Sequence, residues 1–120
     1  MVELFHSTSE KCSRIVTEGY STSFFSAIGM LHTSLRKPVY NIYGFVRFAD
    51  EIVDSFHDFD KKLLLQQFKV ETYDAIERKI SLNPILNSFQ QTVNEYGIDA
   101  KLIDSFFESM EMDLEKTKYD

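Results

Sequence analysis

Apolar positions recur at intervals of three and four residues along most of the chain, and no segment sustains the two-residue alternation of a half-buried strand. The pattern predicts an all-α fold of about six helices. The first is expected over roughly residues 3 to 17, closed by Gly19 as a C-terminal breaker. Ser21 or Ser23 can cap a second, "SFFSAIGML", that runs to about Leu31. Thr33 or Ser34 opens a third, with Pro38 close to its start, where a missing N–H costs least, and the helix continues to about Phe56. "HDFD" reads as a loop from which Asp60 caps "KKLLLQQFKVETYDAIERKI". Asn83-Pro84 starts a fifth helix that ends at Tyr96-Gly97, and Asp99 caps a sixth that is still running near Lys118.

The third helix carries the unusual chemistry. At about 100° per residue, Tyr43, Arg47, Asp50 and Asp54 fall within about 60° of one another. Val39, Ile42, Phe45, Val46, Ala49, Ile52, Val53 and Phe56 fill a separate apolar arc, and Glu51 lies further round. Two carboxylates one turn apart repel by roughly 0.2–0.5 kcal/mol in an isolated helix. Glu51, Asp58 and Asp60 make the local field more negative. A cation between the acids would resolve that repulsion. Mg2+ is the natural candidate, with Mn2+ an admissible substitute, because hard cations take carboxylates together with substrate phosphate. Arg47, one turn earlier, could hold a phosphate oxygen through charge-assisted hydrogen bonds. The plainer alternative is a solvated acidic face on which Arg47 pairs with Asp50 or Glu51. Spacing alone does not separate the two.

The sixth helix has an apolar stripe of Ile103, Phe106, Phe107, Met110 and Leu114, with Asp104, Glu108, Glu111 and Glu115 on the opposite, solvated face. Asp113 sits at the edge of the stripe near Thr117, where an acid wants a partner, a metal or a polar cavity. Lys116 and Lys118 are the nearby cations.

Composition narrows the classes. At 120 residues the chain is one domain, and eleven Phe with six Tyr supply its core. A net charge of −6 removes the broad basic surface that nucleic acid attracts, so an anionic ligand must be bound locally, through metal or a few placed cations. The single Cys12 excludes an internal disulfide and a cysteine zinc site and fits a half-buried thiol in a reducing cytosol. His6, His32 and His57 show no metal-ligand spacing. No apolar run approaches a membrane span, and "MVELFHSTSEKC" lacks the form of a signal peptide. "MEMDLEKTKYD" stops inside a helical pattern, which suggests that the chain is cut there.

"YSTSFFSAIGML", followed by "RKPVYNIYGFVRFADEIVDSF", resembles the squalene/phytoene synthase family, the bacterial phytoene synthases most of all. The Ser-x-Ser-Phe signature falls on Ser21, Thr22, Ser23 and Phe24. The Tyr-(x)3-Arg-(x)2-Asp-Asp/Glu-(x)2-Asp signature falls on Tyr43, Arg47, Asp50, Glu51 and Asp54. The resemblance implies a helical prenyl-synthase bundle that joins two prenyl diphosphates head to head. Two geranylgeranyl diphosphates would give phytoene, and two farnesyl diphosphates a squalene-type product. It implies Asp50 and Asp54 as Mg2+ ligands, Arg47 as a diphosphate clamp, Ser21 and Ser23 as donors to diphosphate, and Tyr43 near the reacting carbons. Phe24, Phe25, Phe45 and Phe48 become candidate cavity walls, and Asp113 a candidate active-site acid. The family uses a second aspartate motif, so residues 1–120 are expected to be the N-terminal portion of one synthase domain. Alone, that portion would be inactive and would expose apolar surface that dimerisation could cover. The location implied is cytoplasmic, with peripheral contact at the inner face of the membrane. A non-catalytic helical binding or assembly module of the same family is the alternative.

Overall fold

The computed structural model describes the backbone of residues 1–119 and the side chains of residues 1–116. Six helices follow in order: α1 (Val2–Tyr20), α2 (Thr22–Ile28), α3 (Thr33–Ser55), α4 (Lys61–Arg78), α5 (Pro84–Tyr96) and α6 (Ala100–Tyr119). Among the described residues there is no strand, and no helix is long and apolar enough to cross a membrane.

Caps explain most of the boundaries. The Asp60 carboxylate accepts from the Leu63 amide at 3.1 Å, and the Asn83 side chain accepts from Ile85 and Leu86 at 3.0 and 3.2 Å. Gly97, at φ +63°, closes α5 in the left-handed conformation that glycine adopts most freely. Asp99 caps α6 through the Lys101 amide at 2.9 Å.

Three boundaries differ from the expectation. Gly19 does not end α1, which continues to Tyr20 and stops because Ser21 turns extended to cap the next helix. That next helix ends at Ile28, short of Leu31. The third is capped by the ring nitrogen of His32, which accepts from the Ser34 amide at 3.2 Å, rather than by Thr33 or Ser34 themselves. Pro38 therefore stands six residues into α3, beyond the positions where a missing N–H is free.

α3 is the central element and packs against all five other helices. Toward α4, α5 and α6 it presents apolar side chains. Phe45 stacks on Phe89 at 3.8 Å between ring centres and is also ringed by Phe68, Phe106 and Phe107. Phe45 is thus core, at 2% exposure, and not a cavity wall. α6 is tied to α4 by the Lys69–Glu111 ion pair at 3.1 Å and by the Tyr73 hydroxyl donating to Asp104. Those two acids are therefore partnered rather than simply solvated.

The other side of the bundle is built differently. α1 meets α3 and α5 through Ser9, Ser13 and Thr17, a buried stripe of hydroxyl residues four apart, while Ile15 stays exposed. Ser9 and Thr17 donate back to the carbonyls of Phe5 and Ser13. The Ser13 and Ser88 hydroxyls lie 2.5 Å apart, Asn87 donates to Ser9 at 3.1 Å, and Asn41 donates to Thr92 at 3.0 Å. The helices close up at Gly44, where an added Cβ would stand 3.1 Å from the Ser13 oxygen and 3.4 Å from its Cα.

That close approach separates two glycines that look alike in sequence. Gly44→Val should lower the unfolding free energy by ~2 kcal/mol, the usual cost of overpacking. Gly19→Ala, with open space around its Cβ and an ordinary helical backbone, should raise it by roughly 0.5–1 kcal/mol. Urea denaturation of both variants checks this; equal effects would contradict the packing described.

Candidate active site

The serine stretch and the α3 line are brought together. The Ser21 oxygen accepts from the Phe24 amide at 3.1 Å and so starts α2, which lays Phe24 against Tyr43 with ring centres 5.0 Å apart. Phe25, one position on, meets Tyr40 at 5.7 Å. Ser21 is half-buried and Ser23 is exposed in the first turn of α2. With seven residues, α2 is too short to add a useful dipole, so what these serines bring to an anion is their hydroxyl hydrogens. Phe48 is partly buried against the core, while Phe24 keeps 39% of its surface exposed.

Arg47 is held from several sides. Its guanidinium lies 5.0 Å from the centre of the Tyr20 ring, 3.5 Å from a Glu51 oxygen and 4.0 Å from an Asp54 oxygen. Its partners are therefore Glu51 and Asp54, where sequence had offered Asp50 or Glu51. The Arg47 Nε is buried with no hydrogen-bond partner. A buried guanidinium nitrogen without an acceptor is costly, and a ligand oxygen would relieve it.

Sequence reasoning left Tyr20 without a role and offered Glu51 only as a surface partner of Arg47. Hydrogen bonds from Ser55 and then Tyr20 hold the Glu51 carboxyl below its ordinary range, and Arg47 adds to this. The Tyr20 hydroxyl is raised for the reciprocal reason, its hydrogen bond to Glu51. The signals were present: Tyr20 begins the serine stretch, and Glu51 fills the fourth motif position.

The acids divide by environment. Asp54 is 62% exposed, and Asp50 is half-buried. Burial raises the Asp50 carboxyl above its ordinary range; Arg47 opposes this, while Asp54 and Asp113 raise it further. Asp113, exposed on α6, is thus near enough to share a field with Asp50, which puts α6 beside the α3 line. Lys118, one of the partners considered for Asp113, lies outside the described side chains. No group of three acid, histidine or cysteine side chains converges tightly enough to hold an ion among the described residues. Even so, an all-oxygen donor set of Asp50 and Asp54 fits Mg2+, which binds through one or two carboxylates and completes its shell with water and phosphate. Burial is the main reason the Asp50 carboxyl is raised, with Asp54 and Asp113 adding to it, and a cation there would offset their charge. His6, His32 and His57 take hydrogen bonds, to Asn87, Ser34 and Lys61.

Over 95 residues the chain is 27% identical to the presqualene diphosphate synthase of Rhodopseudomonas palustris, an alignment covering 78% of this chain and 33% of that protein. The chain thus spans about a third of the length of that relative. No solved structure matches it. Residues 17–120 match the family model described as squalene/phytoene synthase, a family of prenyl transferases that act on prenyl diphosphates with divalent metal. That match takes in both the serine stretch and the whole α3 line, and the chain belongs to the squalene/phytoene synthase family.

Proposed function

We propose that the protein carrying this chain joins two allylic prenyl diphosphates head to head, and that the Tyr43–Arg47–Asp50–Asp54 line of α3 handles the departing diphosphate. The observation that carries the reading is Arg47, its Nε unpartnered, beside a half-buried Asp50 carboxyl that is raised chiefly by burial. Mg2+ held by Asp50 and Asp54 would neutralise charge on the leaving group. Arg47, positioned by Glu51 and Tyr20, would offer its guanidinium to a phosphate oxygen, and the hydroxyls of Ser21 and Ser23 would add donors. The C1–O bond breaks with its electron pair leaving on diphosphate. The double bond of the second substrate then attacks the allylic carbon, and loss of one proton closes a cyclopropane. Phe24 and Tyr43 would keep water from the cation.

Two substrate lengths remain in play. The motif resemblance points to geranylgeranyl diphosphate and phytoene. The name of the Rhodopseudomonas relative favours the farnesyl reading, in which the reaction ends at or passes through presqualene diphosphate. We place the farnesyl reading first on that ground. On this reading the full catalytic unit also carries a second acid cluster, in keeping with a relative more than twice as long as this chain.

Full-length protein supplied separately with each diphosphate and Mg2+ should convert farnesyl diphosphate faster, with product resolved by mass spectrometry. Preference for geranylgeranyl diphosphate would restore the phytoene reading. Asp50→Asn and Arg47→Gln should each cut turnover by ~100-fold or more, as loss of a group stabilising developing charge does. Residues 1–120 alone should yield no product, and equal yield from both forms would refute the two-cluster requirement.

A stability measurement tests the Asp50 environment without metal. A carboxyl whose folded pKa is raised costs stability once ionised, so the fold weakens as pH climbs from the unfolded value through the raised one. With EDTA present, Asp50→Asn should be more stable than the parent at pH 7, by less than ~1 kcal/mol. Below about pH 3 the difference should vanish, because Asp50 is then largely protonated in both states. A variant less stable at pH 7 would mean that Asp50 is a structural ion-pair partner.

A further inference from the structure

Along α3, the residues Arg36, Tyr40, Tyr43, Arg47, Asp50 and Asp54 follow one another at spacings of four and three, so all six lie on one face. The acidic end of that line is the candidate active site. The other end, about 21 Å away at ~1.5 Å per residue from Asp50 to Arg36, carries the opposite charge. There a cleft of about 410 Å3 opens between α1 and the first turns of α3. Lys11 and Arg14 of α1 and Arg36 and Lys37 of α3 line it, against one carboxylate, Glu10. In a chain of net charge −6, four of thirteen basic residues are concentrated at one concave place.

We propose that this cleft is a second, metal-independent site for a phosphate-bearing ligand. Lys37 pairs with Glu10 at 3.4 Å, but among the described residues Lys11, Arg14 and Arg36 have no carboxylate within ion-pair distance. The two guanidiniums are nevertheless held in place. Arg14 lies over the rings of Phe25 and Tyr40, at 5.5 and 5.9 Å. Arg36 gives its Nε to the Leu31 carbonyl at 3.1 Å, and its two terminal nitrogens make no hydrogen bond among the described residues. Neutral partners thus fix the geometry and leave the charge uncompensated, which is how a preorganised anion site is made. The N-terminal end of α3 makes the arrangement costlier still, because cations there oppose the helix dipole. The cavity falls in the range of roughly 300–1,000 Å3 that small-molecule sites occupy, larger than a bare ion needs. Leu31 and Leu35 stay exposed at the same end, so an apolar tail on the phosphate would meet apolar surface. A free diphosphate and a lipid phosphate headgroup share this chemistry.

The experiment titrates the chain with sodium pyrophosphate in EDTA, following amide shifts by NMR, and sediments it with phosphatidylglycerol vesicles against phosphatidylcholine vesicles. EDTA removes the metal route, so failure here leaves the proposed prenyl transfer untouched, and the reverse holds as well. Shifts on residues 7–14 and 33–40 are expected. Lys11→Gln with Arg14→Gln should weaken binding roughly tenfold or more, the effect of losing charge-assisted contacts, while Lys101→Gln, exposed on α6 and away from both sites, leaves it unchanged. Binding in the pyrophosphate arm alone assigns a soluble diphosphate, and in the anionic vesicle arm alone a lipid headgroup. Binding in neither arm, shifts confined to Arg47–Asp54, or a double variant that binds like the parent would overturn the proposal. Should the double variant lose its helical circular dichroism, the shift map on the parent and the exposed single change Lys11→Gln, expected to weaken binding about threefold, decide the matter.

Discussion

The bundle depends on how closely α1 can approach α3 at Gly44. A side chain at that position would meet Ser13, so the two backbones lie together only because both residues are small. The consequence reaches the site. Tyr20 stands two turns beyond Ser13 on α1, and Arg47 stands three residues beyond Gly44 on α3. Each is on the same face of its helix as the contact point. The packing at Ser13 and Gly44 therefore sets the Tyr20 ring over the Arg47 guanidinium. The Tyr20–Glu51 hydrogen bond then fixes the acid that holds Arg47.

α3 meets conflicting demands. One side is locked by Phe45 among four other phenylalanine rings, which holds the helix in register with α4, α5 and α6. The charges of α3 sit against the helix dipole at both ends: Arg36 and Lys37 near the positive terminus, Glu51 and Asp54 near the negative one. Stability alone would arrange these charges the other way round. Local choices that work against the fold tend to mark sites where a ligand supplies what the protein lacks. The proposed cation at one end and anion at the other supply those charges.

Sequence made the elements legible wherever the deciding interaction is local. Asp60, Asn83 and Asp99 each cap a helix through their own side chain within three residues, and Gly97 needs only its own backbone freedom. Gly19 misled because the end of α1 is dictated by Ser21 serving the following helix. His32 escaped because an imidazole nitrogen can accept an amide as a carboxylate does, a use that composition does not advertise. The buried hydroxyl stripe of α1 was hidden for a deeper reason: hydropathy marks Ser9, Ser13 and Thr17 as polar, and only their back-bonds and the Ser88 and Asn87 contacts let them be buried. The α3 line was legible as a line, because helical geometry fixes which residues share a face. The division of labour along it was not, since exposure and partners come from α1 and α6.

That division suggests how the site would respond to substrate under the proposed function. Glu51 is 19% exposed, accepts from Arg47 at 3.5 Å, and has its carboxyl lowered by Ser55 and Tyr20, so moving it disturbs several neighbours at once. Asp54 is 62% exposed and touches Arg47 only at 4.0 Å, a distance at which an ion pair in water is worth little. The two acids around Arg47 are thus unequal. Glu51 is the anchor that keeps the guanidinium pointed along the line. Asp54 is held loosely enough to leave it for a cation shared with Asp50. A glutamate at position 51 suits the anchoring role: its extra methylene, compared with aspartate, lets one carboxylate reach back to Arg47 and across to Tyr20. The Arg47 Nε is buried, so under this reading the partly exposed end of the guanidinium is what an arriving diphosphate oxygen would meet.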